Sequence, residues 1–155
     1  MPISRRLASV ALATSLALTA LVAAPASAVE TRSISGKVTL PSTLPSKWKS
    51  RVGVTVNNPV TGAYVAHSTV NSTTGEFTVA GLAPGVYQVV FGSSGITDAN
   101  GIIEYSPLIT EVYDNVKGTY AGFTPVDVTS ANATGINATL EMGASVTGKV
   151  TVPTG

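Results

Sequence analysis

The chain has no cysteine, one histidine, one tryptophan, and charged side chains at only 11% of its 155 positions. Without cysteine, no disulfide can staple the fold, and no thiol can act as nucleophile or metal ligand. With His67 as the only histidine, a metal site built on two imidazoles is impossible. His67 lies in the alternating run AYVAHSTV, where a strand-surface imidazole is the expected state. Leu, Glu and Lys are too sparse for a helix of useful length, whereas Thr, Val, Gly and Ser abound, so the composition points to an all-β chain. A β/α barrel, which takes roughly 250 residues, is excluded by length and by helix poverty. The formal net charge is +1, and two of the nine basic residues are Arg5 and Arg6, so no long-range charge draws nucleic acid or an anionic membrane.

What is present divides the chain. A basic start, MPISRR, precedes an apolar run from Leu7 to Ala24 and the small-residue triplet ASA before Val29. This is the pattern of a secretory signal helix cleaved after Ala28, and it predicts a secreted, extracellular protein with no membrane attachment after removal. The remainder, Val29–Gly155, is long enough for one domain with its own core and too short for two ordinary ones.

Eight β-branched runs lie between Gly, Pro, Asn and Ser clusters: Ile34–Leu40, Val52–Asn57, Ala63–Val70, Glu76–Val79, Val86–Phe91, Leu108–Tyr113, Pro125–Val128 and Gly135–Glu141. Their number and spacing predict a seven- to eight-stranded sandwich. Alternation sends Ile34, Val38 and Leu40 to one face of the first run, and Val52, Val54 and Val56 inward from the second. In GEFTVAGLAPGVYQVVF, Gly75–Phe91, the residues Phe77, Val79, Leu82, Tyr87, Val89 and Phe91 are expected on one side of a core-forming hairpin. SISGKVTLP (33–41) and SVTGKVTVP (145–153) match at six of nine positions with an offset of 112 residues, so a repeat begins again near the end. The expected organisation is a signal at 1–28, a sandwich at 29–144, and the first strand of a further repeat, or a trailing edge strand, at 145–155.

The Gly75–Phe91 segment resembles the G-x-Y/F-x-x-x-G-L-x-P-G-x-Y-x-V hairpin of carboxypeptidase regulatory-like domains, with Gly75, Phe77, Gly81, Leu82, Pro84, Gly85, Tyr87 and Val89 all in place. TEVYDN (110–115), TPVDVTSANATGINATL (124–140) and GASVTGKVTVPTG (143–155) resemble the closing part of such repeats in secreted bacterial proteins. The resemblance implies a prealbumin-like, Greek-key sandwich, shared with the B-type repeats of collagen adhesins and belonging to the carbohydrate-binding-like superfamily. In the adhesin relatives a strand lysine can join an asparagine in an isopeptide bond, which makes Lys37 with Asn132 or Asn137 the positions to consider. The bond needs a buried amine, and alternation places Lys37 outward.

No nucleophile–base motif stands out, and nothing selects a pair among Glu104, Glu111, Asp114 and Asp127 for glycoside hydrolysis, so no enzyme, metal or cofactor is expected. TDANG (97–101) starts like a calcium loop but continues with Ile102 and Ile103, and reads as a surface turn. Trp48, between Lys47 and Lys49, is either a loop anchor or, with Tyr105, Tyr113 and Tyr120, a platform for stacking sugar rings. The leading expectation is a non-catalytic spacer, adhesion or presentation module of an exported or cell-envelope protein, with neighbouring repeats and another surface protein or a polysaccharide as partners. The alternative is a carbohydrate-binding accessory module of a secreted glycoside hydrolase such as an α-amylase.

Overall fold

The computed structural model describes residues 30–118, 121–144 and 148–149. The signal segment at 1–28, Tyr120 and the second motif copy apart from Gly148 and Lys149 lie outside the described residues. The elements in chain order are β1 (Arg32–Thr39), α1 (Ser46–Lys49), β2 (Val52–Asn57), β3 (Tyr64–Thr69), β4 (Glu76–Leu82), β5 (Val86–Ser93), β6 (Ile96–Thr97), β7 (Ile103–Glu104), β8 (Glu111–Val112), β9 (Val116–Lys117), β10 (Val126–Asp127) and β11 (Ala138–Thr139). The protein is all-β and sandwich-like. One sheet has the order β11-β1-β4; the other runs β3-β2-β5-β8-β9, with β10 also paired to β5; β6 and β7 form a hairpin of their own.

The core lies between the two larger sheets. Ile34 and Val38 of β1 and Phe77, Val79 and Leu82 of β4 meet Val52, Val54 and Val56 of β2 and Val89 and Phe91 of β5, all at most 5% exposed. Phe77 and Phe91 touch edge to face, with ring centroids 5.8 Å apart. Burying each such side chain is worth about 1.5–3 kcal/mol, which lets a chain without disulfides hold together. The short turn Pro41–Ser50, with α1 inside it, drops Leu44 and Trp48 into the same cluster.

All eight expected runs contain a strand, and β6, β7 and β9 are additional short ones. One expectation is corrected: β4 and β5 do not form a hairpin. β4 pairs with β1 and β5 pairs with β2, so Ala83–Gly85 carries the chain from one sheet to the other. Alternation buries the same residues in either arrangement, and so it cannot separate a hairpin from a crossing. Gly81 turns the corner at φ 76°, and the Tyr87 hydroxyl donates to the Ala83 carbonyl at 2.8 Å, tying the crossing down.

β1 is flanked by β4 antiparallel and β11 parallel. The parallel side is irregular. Ser35 and Ala133 exchange main-chain bonds with each other's strand, but Ser33 and Lys37 donate their amides to the side-chain oxygens of Asn132 (3.0 Å) and Asn137 (2.9 Å). The asparagines stand five residues apart and their partners four, and Gly135, at φ 73°, takes up the extra residue. Gly36 is required here by space, since a Cβ on it would lie 2.0 Å from the Ile136 carbonyl oxygen.

Candidate functional site

One concavity lies on the outer face of the larger sheet. Along β2 the core takes Val52, Val54 and Val56, so Gly53 and Thr55 point the other way. Register extends this face sideways: Thr55 lies between His67 and Val90, and Gly53 between Thr69 and Gly92. These two rows make the floor of a trough of about 490 Å³, rimmed by Arg51, Ser93, Ser94 and Thr110. Neighbouring side chains fold over its two glycines. A Cβ on Gly53 would meet His67 Nε2 at 2.3 Å, so the imidazole lies over that glycine, and a Cβ on Gly92 would press on the Thr110 hydroxyl at 3.4 Å.

The trough is hydroxyl-rich and carries no carboxylate. Arg51 reaches the Gly95 carbonyl at 3.5 Å and has no acidic partner among the described residues. Glu104 on the adjoining β7 is committed to Lys47 at 2.5 Å. The arrangement therefore presents one unneutralised guanidinium, one imidazole and several hydroxyls to solvent. It offers donors to an oxyanion, while the triad logic of a nucleophile held by an oriented base is lacking among the described residues.

The aromatic platform is corrected by the fold. Trp48 is 2% exposed, so it has no face to offer a sugar ring; it anchors its turn in the core, with the Lys47 ammonium 5.7 Å from its ring centroid. Tyr105 is 78% exposed next to Glu104, Tyr113 is half-buried against the core, and Tyr120 lies outside the described residues. Nothing in the described residues brings these rings together, the one ring–ring contact being Phe77–Phe91. Lys37 is exposed, so it lacks the burial that an isopeptide bond requires; its backbone amide, rather than its amine, meets Asn137.

The TDANG turn is self-contained. Asp98 Oδ1 accepts from the Asn100 and Ile102 amides at 2.9 and 2.8 Å, and the Ile102 bond leads in holding the carboxyl below its usual range. Asp127 is likewise held low, first by the Thr129 hydroxyl and then by the Thr129 amide. No group of three or more His, Asp or Glu among the described residues could hold a metal ion.

Glu111 is the residue that sequence reading left unexplained. It pairs with Phe91 across β5 and β8, which turns its side chain inward, where it is 1% exposed with neither carboxylate oxygen hydrogen-bonded. Lys117 stands opposite it in register on β9, but its ammonium bonds to Glu141. Burial pushes the Glu111 carboxyl up; Asp114 and Glu141 add to this, and Lys117 opposes it.

No protein-family model matches the chain, and no curated protein is significantly similar to it. No helix among the described residues is long and apolar enough to cross a membrane.

Proposed function

We propose that this protein is a secreted, non-catalytic β-sandwich module of the prealbumin-like kind, strung in series with similar units as a spacer or presentation element of an exported or cell-envelope protein. The observation that carries the reading is the match between repeat pitch and unit length. The first motif copy supplies β1, the central strand of its sheet, and among the described residues Leu140 is the last one buried in the core; the second copy starts at Ser145, 112 residues after the first. A segment that reproduces the spacing of Ile34 and Val38 in Val146 and Val150 has the pattern to open another sheet. The accessory carbohydrate module is less favoured, because its platform depended on Trp48.

A chain carrying residues 33–144 twice in series tests this. It should unfold with the stability of a single unit or slightly more, and small-angle scattering should give two bodies end to end. A single merged globule, or a second copy that stays unfolded, overturns the reading. Export is checked by producing the full chain in a bacterial host: N-terminal sequencing of the medium should find Val29 first.

A further inference from the structure

The trough on β3, β2 and β5 is independent of any stalk or spacer work, since none of its polar groups is needed for the core. Its size, about 490 Å³, falls in the roughly 300–1,000 Å³ range of small-molecule clefts and exceeds what a bare oxyanion would fill. Its chemistry is one-sided. Arg51 is a fixed fork of donors without a carboxylate partner among the described residues, and no acid lines the hollow to repel an anion. The rest of the polar lining is hydroxyl and imidazole, which can both donate and accept, and so suits a ligand that is itself hydroxylated. No Trp, Tyr or Phe lines it, so a neutral sugar finds no stacking face and would have to bind through hydroxyl contacts alone.

We propose that this trough binds a hydroxylated carboxylate of monosaccharide size, the chemistry of a uronate residue in an acidic glycan, with its carboxylate on Arg51 and its hydroxyls on His67 and the Thr and Ser side chains that line the hollow. Gly53 matters because it leaves room for the His67 imidazole to lie across the sheet, where its ring nitrogens face the hollow.

The test is an amide-shift titration of the purified chain with glucuronate, glucose and inorganic sulfate at matched ionic strength. Glucuronate should saturate shifts at Gly53, Thr55, His67, Thr69 and Gly92, with glucose at least about tenfold weaker and sulfate giving no saturable change there. Arg51→Gln, at an exposed position, should weaken glucuronate by about tenfold or more and leave the thermal transition in place. His67→Gln should lower affinity for both sugars. The proposal is overturned if glucose binds as well as glucuronate, if sulfate reproduces the same shifts, if Arg51→Gln changes nothing, or if no ligand perturbs those amides. None of these results bears on the tandem-unit experiment, so the two readings fail separately.

Discussion

Residues 30–93 and residues 94–144 build the same core by different means. The first stretch makes five strands of six to eight residues, joined by antiparallel ladders of five or six pairs. Every strand in the second is two residues long. Yet Val112, Val126, Val128, Ile136, Ala138 and Leu140, all from the second stretch, are at most 7% exposed. The second stretch is fastened by single bonds, such as Val128 amide to Gly85 carbonyl and Leu140 amide to Thr39 carbonyl, by two asparagine side chains, and by burial of alternate residues. Ladder length and core contribution are thus separate quantities. The long-strand half is a frame, and the second half is a cladding that is apolar inside and irregular in its backbone.

The sharpest way to break this contrast is Phe91→Ala, which removes a fully buried ring at the contact between the sheets and should cost about 3–5 kcal/mol in denaturant unfolding. Both halves should lose amide protection together; survival of either alone would mean that they are not one cooperative unit. Gly36→Ala attacks the seam only, since the new methyl must displace the Ile136 carbonyl. A loss of about 1–3 kcal/mol is expected, with hydrogen exchange quickened at residues 133–140 before β2 and β5. Equal quickening everywhere would contradict the cladding picture. Asn137→Ala deletes one stitch and should cost about 0.5–1.5 kcal/mol, felt chiefly at Lys37 and its neighbours on β11.

The smallest effect is expected from the charge of Glu111, and it has a sign. Its carboxyl is raised in the folded chain, so the ionised form is the one that folding disfavours. Below its ordinary value of about 4.5 the group is protonated folded and unfolded alike, and it adds no pH dependence; as pH rises from there through the raised value, stability falls and then levels. Glu111→Gln should flatten that decline when midpoints are compared across the range. An unchanged slope would mean that some other group is responsible.

The same contrast explains what could be read from residues alone. β2 was legible to both its ends because Val52, Val54 and Val56 alternate without interruption against turns on either side. In the second half, alternation survives at Val126 and Val128 and at Ile136, Ala138 and Leu140, but ladder pairing stops after two residues, so burial was legible and strand length was not. Leu44 and Trp48 are large apolar residues on either side of Pro45 in a short polar turn, a pairing that could have placed Trp48 inside. The β6–β7 hairpin also had its signal, Asp-Ala-Asn-Gly between Ile-Thr and Ile-Ile, and Asp98 caps it. The trough had none, because Gly53 and Gly92 become neighbours only through the β2–β5 register, which no local pattern specifies.

The parallel pairing of β1 with β11 has a mechanical consequence. Arg32 opens β1 and Thr139 closes β11, and because the two strands point the same way these are opposite poles of the seam. Tension applied between those two ends would pull the two strands past one another lengthwise, so the Ser33, Ser35, Lys37 and Leu140 amide bonds would share the strain at once instead of parting one by one. The irregular seam, weakest by strand length, is thereby oriented to resist stretching as a set.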